Sequence, residues 1–199
     1  FTAVLGDLIT IAAVPLVWFR MLLGSIFVLI YIRFTKRKLK ISLKSLVIFA
    51  LIGSLIALHW LAFFKAVKVS NVSITLAMMS TGAFFTSLLE PIFFKRKIIK
   101  YEVVFGLIVI VGLYIIFNVE TAYLTGILFA LLSSFLGALF SIFNGMVVKT
   151  HDATIISFYE LFFGVVFITI FIFSTEGFNV SFFALSSTDW IYILLLASV

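Results

Sequence analysis

Two charged residues, Arg20 and Glu160, lie inside long apolar stretches of the sequence. A charge within a bilayer is costly, so such a residue normally faces a cavity or a partner. Each lies roughly two turns, about 8–10 Å, into its predicted helix, and the two helices start at opposite faces of the membrane. We interpret the two residues as flanking the two mouths of one pathway, with Glu160 able to carry a proton. The alternatives are snorkelling of Arg20 and a local hydrogen-bonded pair for Glu160.

His59 and Glu90 are two further residues that could carry a proton. The histidine imidazole titrates near neutral pH. In the alternative interpretation His59 and Trp60 form an interfacial anchor near the external end of their helix, where tryptophan is common. Glu90 lies near the cytoplasmic end of its helix, where it could instead pair with Lys95 or Arg96.

Uncharged polar residues mark further helix faces. Ser73, Ser80 and Ser87 are seven residues apart, which predicts one polar stripe on a single helix, facing protein or a watery cavity. Asn144 is a cavity candidate in a later helix, and Tyr159 either lines the cavity or belongs to an aromatic belt. The complete set of candidate site residues is Arg20, His59, Trp60, Ser80, Glu90, Asn144, Tyr159 and Glu160.

The elements that hold these residues are predicted to be membrane helices. Hydrophobic residues make up 64% of the 199 and charged residues 11%, and the mean hydropathy is +1.35. A soluble domain carries about 25% charged residues, so this chain has too little charge to cover a water-exposed surface. With no cysteine there is neither a disulfide framework nor a thiolate metal site. No phosphate-binding loop, dinucleotide-binding glycine cluster or HExxH pattern occurs, so we expect no cofactor and no metal.

Apolar runs predict an all-α, polytopic bundle of transmembrane helices. A span needs about 20 apolar residues. The chain is predicted to begin with the tail of a first helix and a turn over Phe1–Ala13. The later spans are Val14–Arg33, Ser45–Phe64, Val72–Phe94, Tyr101–Phe117, Tyr123–Val148 and Ala153–Phe173, with an eighth helix starting at Asp189–Val199.

Basic residues are concentrated on one predicted side of the membrane. Nine of the fourteen lie in two short loops, residues 34–44 and 95–100, on the same predicted side as the turn Lys149–Asp152. The loops predicted on the opposite side, which include a turn over Lys65–Ser73, hold only Lys65 and Lys68. This asymmetry predicts that the two basic loops are cytoplasmic. It also argues against nucleic-acid binding as the reason for the net charge of +6.

The sequence beginning at Phe1 is similar to the sequence beginning at Phe140. The matched pairs are Phe1 with Phe140, Gly6 with Gly145 and, one inserted residue later, Phe19, Arg20, Gly24 and Phe27 with Tyr159, Glu160, Gly164 and Phe167. The two copies are five helices apart. An odd number of helices inverts the second copy, as in secondary transporters whose substrate site lies between inverted repeats.

Three stretches resemble the drug/metabolite transporter superfamily, specifically the EamA-like transporters. HWLAFFKAVKVSNVSITLAMMSTGAFFTSLLEP resembles the third and fourth helices of that family, VWFRMLLGS the start of its second, and YEVVFGLIVIVGLYIIF its glycine-spaced fifth. The chain departs from the family pattern at the end of the fourth helix, where Lys95–Arg96–Lys97 replaces glycine–glutamate–arginine.

The resemblance implies ten helices in two inverted five-helix halves around a central cavity. Residues 1–118 would form the first half without most of its first helix, and residues 119–199 the start of the second. The implied function is secondary active export of small organic metabolites, amino acids or drugs across a bacterial inner membrane by alternating access. Proton coupling and exchange are both open, and a homodimer is compatible with the resemblance.

Two other functions remain as alternatives. An accessory or structural membrane subunit would tolerate neutral replacement of Arg20 and Glu160. A membrane-embedded enzyme acting on lipids would need clustered acids, histidines or metal ligands, whereas the eight acids of this chain are scattered. We therefore predict that the protein is not an enzyme.

Overall fold

The computed structural model describes residues 1–97, 99–119, 121–175 and 177–198, and every regular element in these ranges is helical. The α-helices are α1 (Thr2–Leu8), α2 (Ala13–Phe34), α3 (Leu43–Val69), α4 (Val72–Met79), α5 (Gly82–Phe94), α6 (Lys100–Val119), α7 (Leu124–Val147), α8 (Ala153–Ser174) and α9 (Ser187–Ser198). Short 3₁₀ turns precede α7 and α9.

Five stretches are long and apolar enough to cross a membrane, and they agree with five of the predicted spans. These are Ala13–Phe34, Leu43–Val69, Val72–Phe94, Thr121–Val147 and Ala153–Ser174. The predicted span Tyr101–Phe117 forms α6, whose apolar part, Val104–Asn118, is shorter. The all-α, multi-pass membrane architecture predicted from hydropathy is confirmed.

Helix α3 occupies the centre of the bundle. It packs along α7 and α8, while α2 lies against α8 and α9, and α4 and α5 lie against α7. The main hydrophobic core forms where α1, α2, α3, α8 and α9 meet. Helix α6 packs chiefly on α5 and leaves most of its side chains exposed, as expected of a lipid-facing helix.

The loops gather at two ends of the bundle. The loop after α2, the start of the loop after α5 and the turn after α7 meet at one end, where Arg37 pairs with Asp152 and Lys149 Nζ lies 5.4 Å from the Phe94 ring. We call this the basic end. At the opposite end the Asp189 carboxylate accepts hydrogen bonds from the backbone amide and hydroxyl of Thr10, at 2.7 and 2.8 Å.

The turn predicted over Lys65–Ser73 is wrong. Helix α3 continues through both lysines to Val69, and only Ser70 and Asn71 separate it from α4. The helix accommodates Lys68 because the ammonium group donates a hydrogen bond to the backbone carbonyl of Ile9. The longer helix places His59 near the middle of α3 instead of near its external end.

The single helix predicted over Val72–Phe94 is broken at Ser80 and Thr81. The Ser80 and Thr81 hydroxyls donate to the carbonyls of Ala77 and Met78, both at 2.6 Å. Such local bonds compete with the helical pattern of backbone hydrogen bonds.

The three serines of the predicted polar stripe lie on two helices, Ser73 on α4 and Ser87 on α5, with Ser80 at the break between them. Ser73 and Ser80 are exposed, and the buried face of this segment instead holds Thr75, Met78 and Thr81. The Thr81 hydroxyl donates to Ser134 Oγ on α7 at 2.9 Å.

Helices α3 and α8 approach each other closely at two glycines. A Cβ atom on Gly53 would overlap the backbone carbonyl of Glu160, and one on Gly164 would overlap the side chain of Met21 and lie 3.1 Å from the Gly53 carbonyl oxygen. Small residues allow such close backbone contact between membrane helices. This contact fixes the position of Glu160 relative to α3.

Candidate functional site

The carboxyl group of Glu160 is buried with a single hydrogen-bond partner. The residue is 4% exposed, and Asn144 Nδ2 donates to its Oε2 at 3.2 Å. Glu160 Oε1 and Asn144 Oδ1 are both buried without a partner among the residues that the structure describes. Two unmatched acceptor oxygens therefore lie in one buried pair, an arrangement that normally costs free energy.

Tyr159, the neighbour of Glu160, contacts the loop after α2. Its hydroxyl donates to the Leu39 carbonyl at 2.7 Å, and its ring stacks on Phe49 with 6.1 Å between centroids. The side chain thus ties α8 to the basic end.

Arg20 is held between α3 and α9. Its guanidinium carbon lies 3.7 Å from the ring centroid of Trp60, and its Nε donates to the Leu196 carbonyl at 3.3 Å. Its Nη1 is buried without a hydrogen-bond partner. Within the described part of the chain Arg20 forms no ion pair.

A cavity of about 560 Å³ lies beside this guanidinium. Arg20 and Trp60 line one part of it, and Tyr31, Thr154 and Ser157 line the part nearer the basic end. Arg20 and Tyr31 are eleven residues apart on α2, so the cavity extends roughly 16 Å along that helix. The cavity thus extends from Arg20 toward the basic end.

Helices α2 and α8 make two reciprocal contacts where they cross. A Cβ atom on Gly24 would lie 3.5 Å from Leu161 Cδ1, and one on Gly164 would meet the Met21 side chain. In the internal repeat Met21 and Gly24 correspond to Leu161 and Gly164. The offset is 140 residues, the same as that between Arg20 and Glu160. Each contact therefore has its counterpart on the other helix, as at a two-fold axis.

The two charged groups lie at different depths of the bundle. Gly53, which contacts Glu160, and Trp60, which contacts Arg20, are seven residues apart on α3. At 1.5 Å per residue the two contacts lie about 10 Å apart along that helix.

His59 is buried between α3 and α7, where its Nδ1 atom has two hydrogen-bond partners. Its Nδ1 lies 2.8 Å from the Ser133 carbonyl and 3.1 Å from the Ser133 hydroxyl. Gly137 leaves room for the ring, since a Cβ atom there would lie 3.2 Å from His59 Cε1. The residue also lines a small cavity of about 220 Å³ with Ser134 and Ser141.

Ser80 and Glu90 do not join the Arg20 or Glu160 groups. Glu90 pairs with Arg96 at 2.9 Å, and Arg96 also contacts Glu102 at 3.1 Å. The hydrogen bond to Glu102 raises the pKa of the Arg96 guanidinium, and the one to Glu90 acts in the same direction. These ions bridge the loop between α5 and α6.

The basic end carries a cluster that sequence reasoning missed. Arg37 pairs with Asp152, and Ser45 Oγ lies 2.9 Å from His151 Nε2. Burial alone would raise the pKa of Asp152, but the backbone amide of Thr154 and the charge of Arg37 lower it below its usual value. We call Arg37, Ser45, His151 and Asp152 the basic-end latch. The sequence contained a signal for this cluster, because the opposite charges of Arg37 and Asp152 lie in two loops predicted on the same side of the membrane.

The described residues offer no group of three histidine, cysteine or acidic side chains arranged to hold a metal ion. The polar groups of the site are therefore a carboxyl, an amide, a guanidinium and hydroxyls.

Comparison with known proteins gives one match. Residues 1–118 match the profile of the EamA-like transporter family. Searches of the curated proteins and of the solved structures gave no significant match.

Proposed function

The chain belongs to the EamA-like transporter family, in the drug/metabolite transporter superfamily, and from this premise we propose that it exports small organic molecules by alternating access. It is a multi-pass integral membrane protein of transporter type. The proposal adds the direction, the coupling and the mechanism. It places the protein in a bacterial inner membrane with the basic end in the cytoplasm, as the asymmetry of basic residues predicts.

The mechanism requires two halves that move against each other, and we assign them to residues 1–118 and 119–199. The family match ends at residue 118. The reciprocal contacts of Met21 with Gly164 and of Gly24 with Leu161 support an inverted repeat whose pseudo-two-fold axis passes between α2 and α8. In transporters with inverted repeats the substrate site lies between the halves.

Contacts between these halves occur at both ends of the bundle. The basic-end latch joins the loop after α2 to the turn after α7. At the opposite end Thr10 bonds Asp189. We propose that the basic-end contacts break when the protein opens to the cytoplasm and that the Thr10–Asp189 contacts break when it opens to the outside. Rocking around a central site is the usual form of alternating access.

The observation that carries the coupling proposal is the buried pair of Glu160 and Asn144. Among the described residues Glu160 Oε1 and Asn144 Oδ1 have no donor, and a proton on the Glu160 carboxyl would make that group a donor as well as an acceptor. With the amide turned over, Oδ1 would face Oε2, and only a protonated carboxyl could donate across that contact. We therefore propose that Glu160 binds the coupling proton and releases it as the halves rearrange.

His59 and Glu90 are weaker candidates for the coupling proton. The imidazole of His59 already has the Ser133 carbonyl as a partner, and Glu90 is neutralised by Arg96. Ser80 is exposed on the broken helix, so it is also the weakest candidate for substrate contact. We propose Arg20, Trp60, Asn144 and Glu160 as the working set.

The proposed function predicts gradient-driven efflux by the full-length protein. The protein is reconstituted into vesicles loaded with a mixed pool of amino acids and other small metabolites. Mass spectrometry of the retained pool, with and without an imposed pH gradient, measures the loss of each compound. We expect selective loss of a few compounds that depends on the gradient.

Protein-free vesicles prepared in the same way provide the control for leakage. If correctly folded and oriented protein releases nothing in either condition, the result contradicts transport and favours the accessory-subunit alternative. Selective loss of compounds that does not depend on the pH gradient would support transport but reject proton coupling, and exchange would then be the favoured mechanism.

A further inference from the structure

The Arg20 guanidinium is a partly buried cation whose Nη1 atom is fully buried. It forms no ion pair with any residue in the described ranges, and its Nη1 has no acceptor. It contacts the uncharged Trp60 ring and the Leu196 carbonyl, and its guanidinium carbon lies 5.8 Å from the centroid of the Phe64 ring. An unpaired charge inside a membrane protein is costly and usually marks a ligand pathway or an absent counter-ion.

The adjacent cavity is large enough to hold a small molecule that would provide this counter-ion. Its volume is about 560 Å³, within the range of typical ligand pockets, about 300–1,000 Å³. Apolar side chains such as Met21, Phe27 and Leu161 form part of the wall. The hydroxyl-bearing residues Thr154 and Ser157 lie toward the basic end.

We propose that this cavity is a substrate subsite in which Arg20 binds a single carboxylate. The substrate class is a small monocarboxylate with an apolar or aromatic body, and this assignment rests on the proposed transport function. A planar guanidinium matches a carboxylate in a two-point hydrogen-bonded contact. The apolar wall accommodates the rest of the molecule.

The charge of the cavity selects a monoanion. Arg20 is the one cationic residue lining the cavity in the described structure. A phosphate monoester carries about two negative charges at neutral pH, so a single guanidinium would leave part of its charge unpaired. A carboxylate is neutralised by one arginine.

Trp60 positions the guanidinium for this role. The ring lies 3.7 Å from the guanidinium carbon and covers one of its faces. A cation over an aromatic face is attracted by the ring quadrupole, and the ring keeps water away from that face. Neither Nη atom of Arg20 has an acceptor among the described residues, so both remain to bind a carboxylate.

The test measures binding of matched probes to the full-length protein in phosphatidylcholine nanodiscs by isothermal titration calorimetry. The probes are 3-phenylpropionate and its neutral amide, which have the same apolar body. We expect the carboxylate to bind at least about tenfold more tightly, since a hydrogen bond to a charged group contributes about 1.5–3 kcal/mol. Arg20→Gln should remove this preference, and Arg20→Lys should retain part of it.

A second pair of variants tests the site without changing the charge. Gly24 lines the cavity, and a Cβ atom there would be in ordinary contact with Leu161, at 3.5 Å. Gly112→Leu is the matched control on α6, where no described atom lies within 4 Å of an added Cβ atom, and it should bind the carboxylate as the native protein does. Gly24→Leu places a large side chain in the cavity and should weaken binding at least about tenfold. Size-exclusion profiles verify that each variant is folded.

The outcomes separate this inference from transport itself. Equal binding of the carboxylate and its amide, or binding unchanged in both Arg20→Gln and Gly24→Leu, overturns the subsite. Loss of the preference when phosphatidylglycerol replaces phosphatidylcholine would assign the guanidinium to an anionic lipid headgroup and overturns the subsite too. Gradient-driven efflux of neutral compounds alone would leave the proposed function intact and reject the carboxylate class. Carboxylate binding without any efflux would reject transport while supporting the subsite.

Discussion

Replacing Glu160 with glutamine is expected to reduce efflux driven by a pH gradient to the level of protein-free vesicles. Glutamine keeps the volume of the side chain and can still bond Asn144, so the buried pair remains filled. It cannot bind or release a proton, so the free energy of the gradient no longer reaches the substrate. Exchange of labelled for unlabelled substrate without a gradient should persist, because exchange requires no net proton movement.

The same substitution at Glu102 is the matched control. Its carboxylate contacts Arg96 beside the loop between α5 and α6, and Glu102→Gln should keep gradient-driven efflux. Glu160→Asp should retain partial activity, because it preserves a titratable group on a shorter side chain. Full gradient dependence in Glu160→Gln would remove Glu160 from the coupling mechanism.

Introducing valine at Gly53 is expected to prevent stable folding. The Cβ atom alone would overlap the backbone carbonyl of Glu160, and backbone cannot move aside as a flexible side chain can. Overpacking a core typically costs about 1–3 kcal/mol and sometimes more. Because total stability is only about 5–15 kcal/mol, a clash with backbone should sharply reduce the yield and the melting temperature.

Gly112 on α6 provides the matched control, since no atom lies within 4 Å of a Cβ atom added there. Gly112→Val should give a monodisperse protein with nearly the native melting temperature. Fluorescence-detected size-exclusion chromatography after heating measures both variants. A Gly53→Val protein as stable as the Gly112→Val protein would contradict the close crossing of α3 and α8.

Hydropathy predicted the spans because membrane helices must bury their backbone polar groups internally and present apolar side chains outward. It could not place their ends. Nothing in the composition of Lys65–Ser73 distinguishes a turn from a helix end, and the deciding contact, from Lys68 to the Ile9 carbonyl, comes from a distant segment. The error moved His59 from the end of α3 to its middle.

The rotation of a helix is harder to predict than its position. The prediction drawn from the spacing of Ser73, Ser80 and Ser87 assumed one uninterrupted helix. The hydroxyl hydrogen bonds of Ser80 and Thr81 accompany a break in that helix, so its periodicity does not continue. Intramembrane charge correctly marked Arg20 and Glu160 as unusual. Their neighbours could not be deduced, because the contacts with Trp60 and Asn144 depend on how α2, α3, α7 and α8 are turned.

Reversible cross-linking of the basic-end latch tests alternating access most directly. The 199-residue sequence contains no cysteine. Once every cysteine elsewhere in the full-length protein is replaced by serine, a pair introduced by Arg37→Cys and Asp152→Cys can be joined specifically. A short cleavable bismaleimide is applied to the full-length protein in vesicles, with each single-cysteine variant treated in parallel. If the halves must separate at this end, cross-linking stops gradient-driven efflux, cleavage of the linker restores it, and the single variants are unaffected. Efflux that continues at the native rate in fully cross-linked protein would contradict the proposed mechanism.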